Sequence, residues 1–399
     1  MQDGADDLDF SRVDLDEADK TFRDELRAFL EIHVTDEVRR RNRETGDNFD
    51  EGVHLALGAA GYLSRMWKPE SEGGFSPVRR RIWQLETQRV HMPWYHAGTT
   101  FMVARTLDRF GSPDLKAEVL PGVLSGHVRL CLGYTEPEGG SDVATCKTRA
   151  VPDGDSWIIN GSKMFTSNAQ HSQYAFLITN TDPGRPKHKN LTMFLVPLSS
   201  PGIEIQGIRT VDGDRTNIVY YTDVRIDDKH RVGEVNGGWT VVLHALNAEH
   251  GIVERDTSGL STIAAMAEPH GTRLAEALDK VAGAVAERDS DGRRLIDDES
   301  VKYRLGRSIA RVEVALSTPE LHGRVAIAQT MRDVAPDLMD IFGTASSLPV
   351  GTEGTAADGA TEHLFRFALP TGIYGGTLEV FRNMIAEGLG LGRPNYASP

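Results

Sequence analysis

Leu132-Gly133-Tyr134-Thr135-Glu136-Pro137-Glu138-Gly139-Gly140-Ser141-Asp142 is the stretch on which the reading of this chain turns. It follows a short apolar run at 128–132. Pro137 fixes one backbone torsion and removes an amide donor, so an extended segment stops there. Gly139 and Gly140 permit left-handed or strained backbone and the close approach of a ligand. Ser141 and Asp142 add a hydroxyl and a carboxylate beside exposed amides. Two readings fit these residues: an ordinary loop between strands, or an amide nest that cradles an anion such as a phosphate.

Outward from this stretch the periodicity changes character. Toward the N-terminus it is helical. Phe22, Leu26, Phe29 and Leu30 recur on one face. Residues 78–90 and 101–110 read as further helices, and Ser112-Pro113 reads as a cap followed by the first turn of the next. Toward the C-terminus β-rich runs take over, at 157–159, 164–166, 174–178, 191–196, 203–205 and 218–224. Asn160-Gly161 between the first two is a hairpin signal. No helical pattern intervenes, so the expectation is a small antiparallel β-domain and not a set of βαβ units. After Gly237-Gly238-Trp239 helices return, at 241–255, 301–316, 321–331 and 379–389, with a poorly patterned alanine-rich stretch to 286. The glycines of 388–392 follow no strand and make no dinucleotide fingerprint. The expected class is α+β: an N-terminal helical domain over 1–130, a middle antiparallel β-domain over 131–236 and a C-terminal helical domain over 237–399.

Composition narrows the function. The 399 residues suffice for two or three domains with a substantial core. A formal net charge of −14 disfavours nucleic acid and anionic membranes as partners. The two cysteines, Cys131 and Cys146, have no metal-ligand spacing, so no metal is expected and free thiols are the simpler reading. The acidic start lacks the apolar core of a signal peptide, and no apolar run is long enough to span a membrane. A cytoplasmic protein is the expectation.

Three ordered motifs carry a more specific reading. Thr135 to Asp142 has the form Thr-Glu-Pro-x-x-Gly-Ser-Asp, residues 159–168 run Ile-Asn-Gly-Ser-Lys-Met-Phe-Thr-Ser-Asn, and residues 373–383 run Ile-Tyr-Gly-Gly-Thr-Leu-Glu-Val-Phe-Arg-Asn. Together they resemble the signature segments of the acyl-CoA dehydrogenase family, flavoenzymes that oxidise acyl-CoA thioesters, and the resemblance spans nearly the whole chain. It implies FAD as cofactor, electron-transfer flavoprotein as acceptor and a homo- or hetero-oligomer, dimer or tetramer. It also implies roles. Leu132, Tyr134 and Thr135 would meet the pyrimidine edge of the flavin, Phe165 would lie against the ring and Ser167 near N5. Ser141 would lie near a phosphate or the pantetheine arm, Arg288 would serve the cofactor of a neighbouring subunit, and Thr377 and Glu379 would lie by the ribose and diphosphate. Residues alone give blander readings: Phe165 a core aromatic, Ser167 a strand hydroxyl, Thr377 and Glu379 the start of a helix.

The family's reaction needs a carboxylate base. In much of the family that base follows the tyrosine of the C-terminal motif. Here the position is Gly375, which accepts no proton. Some branches carry the base on the helix after the β-domain, and the matching residue is Glu249. Helical spacing surrounds Glu249 with Val242, Ala245, Leu246, Ile252 and Val253. Burial on such a face raises a carboxylate's pKa, as a base working near neutral pH requires. Periodicity alone allows another reading, a buried ion pair with Arg255 or His250. His250 stands where those branches have arginine, and with Ser141, Tyr374 and Gly375 it is a candidate substrate contact. Two family elements look eroded, at 288–292 and 340–345, a pattern similar to actinobacterial steroid-type enzymes built from two different subunits. The expected activity is α,β-dehydrogenation of a bulky, branched or steroid-derived acyl-CoA. The alternatives are a non-catalytic partner subunit, or an oxidase or monooxygenase on the same fold.

Overall fold

The structure is a computed structural model that describes residues 15–93, 95–250, 262–318 and 320–392; residues 95, 248–250, 262–269 and 320 are described by backbone alone. Among the described residues seven helices come first: α1 (Glu17–His33), α2 (Asp36–Thr45), α3 (Glu51–Ala59), α4 (Tyr62–Trp67), α5 (Pro77–Arg89), α6 (Tyr95–Phe110) and α7 (Pro113–Ser125). Short polar side chains start most of them. Asp16, Thr35, Asp50, Ser76 and Ser112 each accept from a first-turn amide, which satisfies one of the donors a helix start leaves open. Ser112 and Pro113 act as the cap and first position read from the sequence. Phe22, Leu26 and Leu30 of α1 are buried against Val53, Leu57, Leu63 and Trp83, while Phe29 packs half-buried against Tyr62.

Eight strands follow: β1 (Leu130–Gly133), β2 (Arg149–Asp153), β3 (Ser156–Lys163), β4 (Tyr174–Asn180), β5 (Leu191–Pro197), β6 (Ile203–Arg209), β7 (Arg215–Asp227) and β8 (Arg231–Val232). They form one sheet in the order β6-β7-β3-β2-β4-β5-β8, with β1 beside β4. The expected antiparallel pairing holds except at β4, which takes β1 and the first residue of β2 as parallel neighbours. Successive residues of β4 point to opposite faces, so Phe176 and Ile178 join the core beneath α6 and α7, while Ala175 and Leu177 join a second core with Trp157, Phe194, Val219 and Tyr221.

One expectation is corrected here. Asn160-Gly161 is no hairpin turn but lies inside β3, where the register against β7 shifts between Ile159 and Gly161. The turn is earlier, at Gly154-Asp155, between the paired Asp153 and Ser156. Gly161 has φ of 148°, and a Cβ there would stand 2.7 Å from Thr148 Cα. A bulge and a tight turn both call for a residue free of Cβ, and local sequence does not tell them apart.

Helices return as α8 (Gly238–His250), α9 (Thr262–Ala286), α10 (Glu299–Leu316), α11 (Glu320–Phe342), α12 (Ala360–Ala368) and α13 (Leu378–Gly388). The alanine-rich stretch is helical over Thr262–Ala286, and α11 continues past Met331 through Pro336. The sides of α9, α10, α11 and α12 enclose a core of Leu274, Val281, Leu305, Met331, Leu338 and Phe367. α8 belongs elsewhere: Val241, Val242 and Ala245 are buried with the sheet and α6.

Candidate active site

The first motif continues straight out of β1. Glu136 and Gly139 exchange two backbone hydrogen bonds of 3.0 Å around Pro137-Glu138, which makes a tight turn. Gly139 is needed for closeness and not for an unusual φ, since a Cβ there would stand 2.4 Å from Thr145 Oγ1. Beyond the turn Ser141 is exposed, and Asp142 pairs with Lys187 of the loop between β4 and β5.

The second motif lies alongside. Met164 N donates to Thr135 O at 2.8 Å, so Tyr134, Thr135, Phe165 and Ser167 share one rim of the sheet. Below them the two motifs are riveted by a buried ion pair. Lys163 Nζ donates to Glu136 Oε1 at 2.7 Å and to Tyr134 O at 3.3 Å, and Lys163 has no exposed surface. Glu136 also accepts from the amides of Lys147 and Thr148, at 2.7 and 2.9 Å. Burial pushes the Glu136 carboxyl up, but the Lys163 charge and these donors outweigh it and hold its pKa at about 2. Cys146 Sγ lies 3.2 Å from Glu136 Oε1, and burial raises its thiol to about 11. Both cysteines are free.

Phe165 is not the core aromatic that residue type alone suggests. It is 55% exposed and held at φ of 57° between the buried Lys163 and Thr166. Two bonds lock this backbone: Thr166 N donates to Asn217 O at 2.9 Å, and Asn217 Nδ2 donates to Thr166 O at 2.9 Å. Ser167 Oγ meets Thr216 Oγ1 at 3.1 Å. A phenyl ring left open to water forgoes about 1.5–3 kcal/mol of burial. An exposed ring beside a threonine, a serine and the end of a strand fits the face of a flat, polar-edged ring system such as a flavin.

The third motif stands in the C-terminal domain. Gly375 and Gly376 have φ of 63° and 97°, which suits glycine at both positions. Thr377 caps α13 by accepting from Val380 N, and Glu379 sits in the first turn, where it pairs with Arg382. Tyr374 Oη lies 2.8 Å from His270 Nε2 of α9. Arg324 of α11, fully buried, donates from Nη2 to Thr371 O at 2.7 Å and to Tyr374 O at 3.1 Å. Sequence reading passed over His270, Arg324, Thr216 and the Glu136–Lys163 pair. For the last a signal existed: a lysine closing an apolar strand, and a glutamate inside a glycine-rich turn.

Glu249 and His250 close α8, and their side chains, like the whole of Ile252, Val253 and Arg255, lie outside the described residues. The row leading to position 249 is visible: Val242 and Ala245 are buried and Leu246 packs against the same core. Arg288 is exposed and its Nη1 closes its own turn on Gly292 O at 2.6 Å. Among the described residues no group of three or more His, Cys, Asp or Glu could hold a metal ion, and no helix is long and apolar enough to cross a membrane.

Helices, then one sheet, then helices, with two sheet motifs joined at an open aromatic rim, define a three-part α+β scaffold. Family models for the N-terminal, middle and C-terminal domains of acyl-CoA dehydrogenases match residues 16–127, 131–228 and 323–390. The chain belongs to the acyl-CoA dehydrogenase family. It is similar to acyl-CoA dehydrogenase FadE29 of Mycobacterium tuberculosis, 31% identical over 94% of this chain and 97% of that protein. FadE26 of the same organism is 29% identical over 96% and 100%. Among solved structures, the Tcur3481-Tcur3483 steroid ACAD matches with a TM-score of 0.77 at 31% identity, covering 95% of this chain and 99% of that one. The ChsE4-ChsE5 complex from Mycobacterium tuberculosis matches with a TM-score of 0.77 at 29% identity, covering 96% and 100%.

Proposed function

We propose that this chain catalyses α,β-dehydrogenation of a bulky, branched or steroid-derived acyl-CoA, with FAD as cofactor and Glu249 as the base. The observation that carries the reading is the backbone at 374–376. Gly375 occupies the position from which much of the family supplies its carboxylate, and its φ of 63° is one a glutamate rarely adopts. The base must come from another element. By helical spacing, position 249 continues the row of Val242, Ala245 and Leu246 by one turn. A carboxylate there would be desolvated, and its raised pKa would suit it to take the α-proton.

FAD, when bound, would supply the hydride acceptor for the β carbon. The chain's part is to hold and orient. Thr135, Tyr134 and Leu132 would present the pyrimidine edge with backbone amides and a hydroxyl, Phe165 would support the ring, and Ser167, kept in place by Thr216, would donate near N5. Ser141 would meet a phosphate or the pantetheine arm, and Thr377 and Glu379 the ribose and diphosphate. Tyr374, Gly375 and His250 would face the acyl group, where the missing side chain at 375 leaves width for a branched or polycyclic chain. Electron-transfer flavoprotein is the proposed acceptor. We divide the chain at 130/131 and 236/237 for these roles.

Stopped-flow flavin reduction tests the reading. Glu249→Gln is expected to retain FAD and to lose about 10²–10⁴-fold in reduction rate, the usual contribution of a positioned base. Equal rates in the two proteins would remove Glu249 from the mechanism. Wild type is expected to be reduced faster by branched or steroid-derived esters than by butyryl-CoA, and Gly375→Glu to narrow that preference. A second reading, a partner subunit that completes another chain's site, is favoured by Arg288, whose guanidinium is turned back on Gly292. Absence of flavin from the chain purified alone would support it.

A further inference from the structure

The turn that carries Tyr374 and Gly375 is supported from beneath in an unusual way. It has no regular secondary structure between the Pro370–Gly372 turn and α13, yet two helices grip it. Arg324 of α11 spends a fully buried guanidinium on two backbone carbonyls, Thr371 O and Tyr374 O, and stacks 5.5 Å from the Phe381 ring. His270 of α9 reaches the other end of the same tyrosine, Nε2 to Oη, at 2.8 Å. The His270 ring stands edge-on to Phe367 at 5.4 Å and to Tyr374 at 5.7 Å, and Arg273 lies over Phe367 at 4.2 Å. Tyr374 is thereby fixed at its backbone and at its hydroxyl by two different helices.

The protonation of His270 follows from its surroundings. Burial, then the charges of Arg324 and Arg273, hold its pKa well below the ordinary value, so the ring is neutral. Its Nδ1 is buried without a hydrogen-bond partner among the described residues. An orphaned acceptor costs less than an orphaned donor, which assigns the proton to Nε2. On this tautomer His270 donates to Tyr374 Oη, which leaves the tyrosine's own O–H for another acceptor.

We propose that His270 is a positioning residue for this active site: by donating from Nε2 to Tyr374 Oη it sets the ring and hydroxyl direction of the tyrosine that fronts the acyl pocket, on a backbone that Arg324 holds. The inference rests on the functional reading above and deepens it. The His270–Tyr374 bond braces this wall from behind. A purely structural histidine could be replaced by any side chain that fills its space. A positioning histidine needs its Nε2 donor.

The test uses the full FAD-loaded chain and the acyl-CoA ester that reduces wild type fastest. His270→Phe and Tyr374→Phe are each expected to lower the limiting rate of flavin reduction about tenfold, the scale at which small misplacements tell on reaction rates. Half-saturation, flavin content and melting temperature are expected to stay near wild type. The double variant is expected to be no slower than either single one, because both remove the same bond. His270→Gln, whose amide nitrogen falls close to Nε2, is expected to recover most of the rate. A wild-type rate in His270→Phe, independent effects in the double variant, or no recovery in His270→Gln would each overturn the proposal. Tyr374→Phe removes a single oxygen and keeps the test decisive should His270→Phe fail to fold. If no ester reduces wild type, the functional reading fails and takes this inference with it. If wild type is reduced and His270→Phe is indifferent, the inference fails alone.

Discussion

Glu136 and Lys163 show how much a single pair can organise. Each comes from a different motif, and neither has water to fall back on. Removing one partner leaves a buried charge, at a cost of about 3–5 kcal/mol. Lys163→Met is therefore expected to lower stability by that order and to loosen the Thr135–Phe165 rim, read as a fall in melting temperature together with a fall in flavin retention. Melting unchanged from wild type would show that the pair is not structural. The pH dependence has a definite sign. The carboxyl is held at about 2, against about 4.3 when unfolded, so its contribution of about 3 kcal/mol is complete above pH ~4.5 and is lost as pH falls toward 2.

At the scale of elements, the join between the N-terminal helices and the sheet is built from histidines. Phe49, between α2 and α3, touches the rings of His54, His96 and His171 at 5.6, 5.5 and 5.0 Å. Arg129, just before β1, runs beneath them to Glu51 and to the carbonyls of Gly126 and His171. Burial, helped by the Arg129 charge, lowers His54 to about 4 and holds His96 well below its ordinary value. Here the folded state disfavours the proton. The join is at full strength above pH ~6.5 and weakens as pH falls toward 4, by about 3 kcal/mol for His54 alone. Melting temperature is expected to drop across that window, above the one in which Glu136 titrates, and His54→Phe is expected to flatten the drop. An acid limb unchanged in His54→Phe would place the sensitivity elsewhere.

At the scale of the molecule the question is assembly. The solved relatives include a complex of two different chains, ChsE4 and ChsE5. Arg288 closes its own turn, and the stretch at 340–345 leaves α11 for a short 3-10 turn at Gly343–Ser347. On the proposed reading these are the elements that would serve cofactor binding across a subunit boundary. The assembly is therefore expected to hold fewer FAD than chains, and co-expression with a second family member is expected to raise flavin content. Native mass with flavin quantitation checks this. A homotetramer with one FAD per chain would contradict it.

Much of this protein is legible in its sequence alone. Helical spacing in 22–30, caps such as Ser112-Pro113, and the change to β-rich runs after Arg129 are local properties, set by side-chain periodicity and backbone donors within a few residues. The three motifs, being contiguous, could also be read as words. What only the tertiary structure decided depends on residues distant in sequence. Asn160-Gly161 makes a bulge because Thr148 packs against it, a fact absent from the local chain. Phe165 is exposed because Asn217 locks its backbone outward. Glu136 finds Lys163, and His270 finds Tyr374, across separations of 27 and 104 residues. A charge or an imidazole carries no mark in the sequence of whether folding will bury it or what will meet it there. Burial and partnership are properties of the packed whole, and they decide which polar side chains support the site.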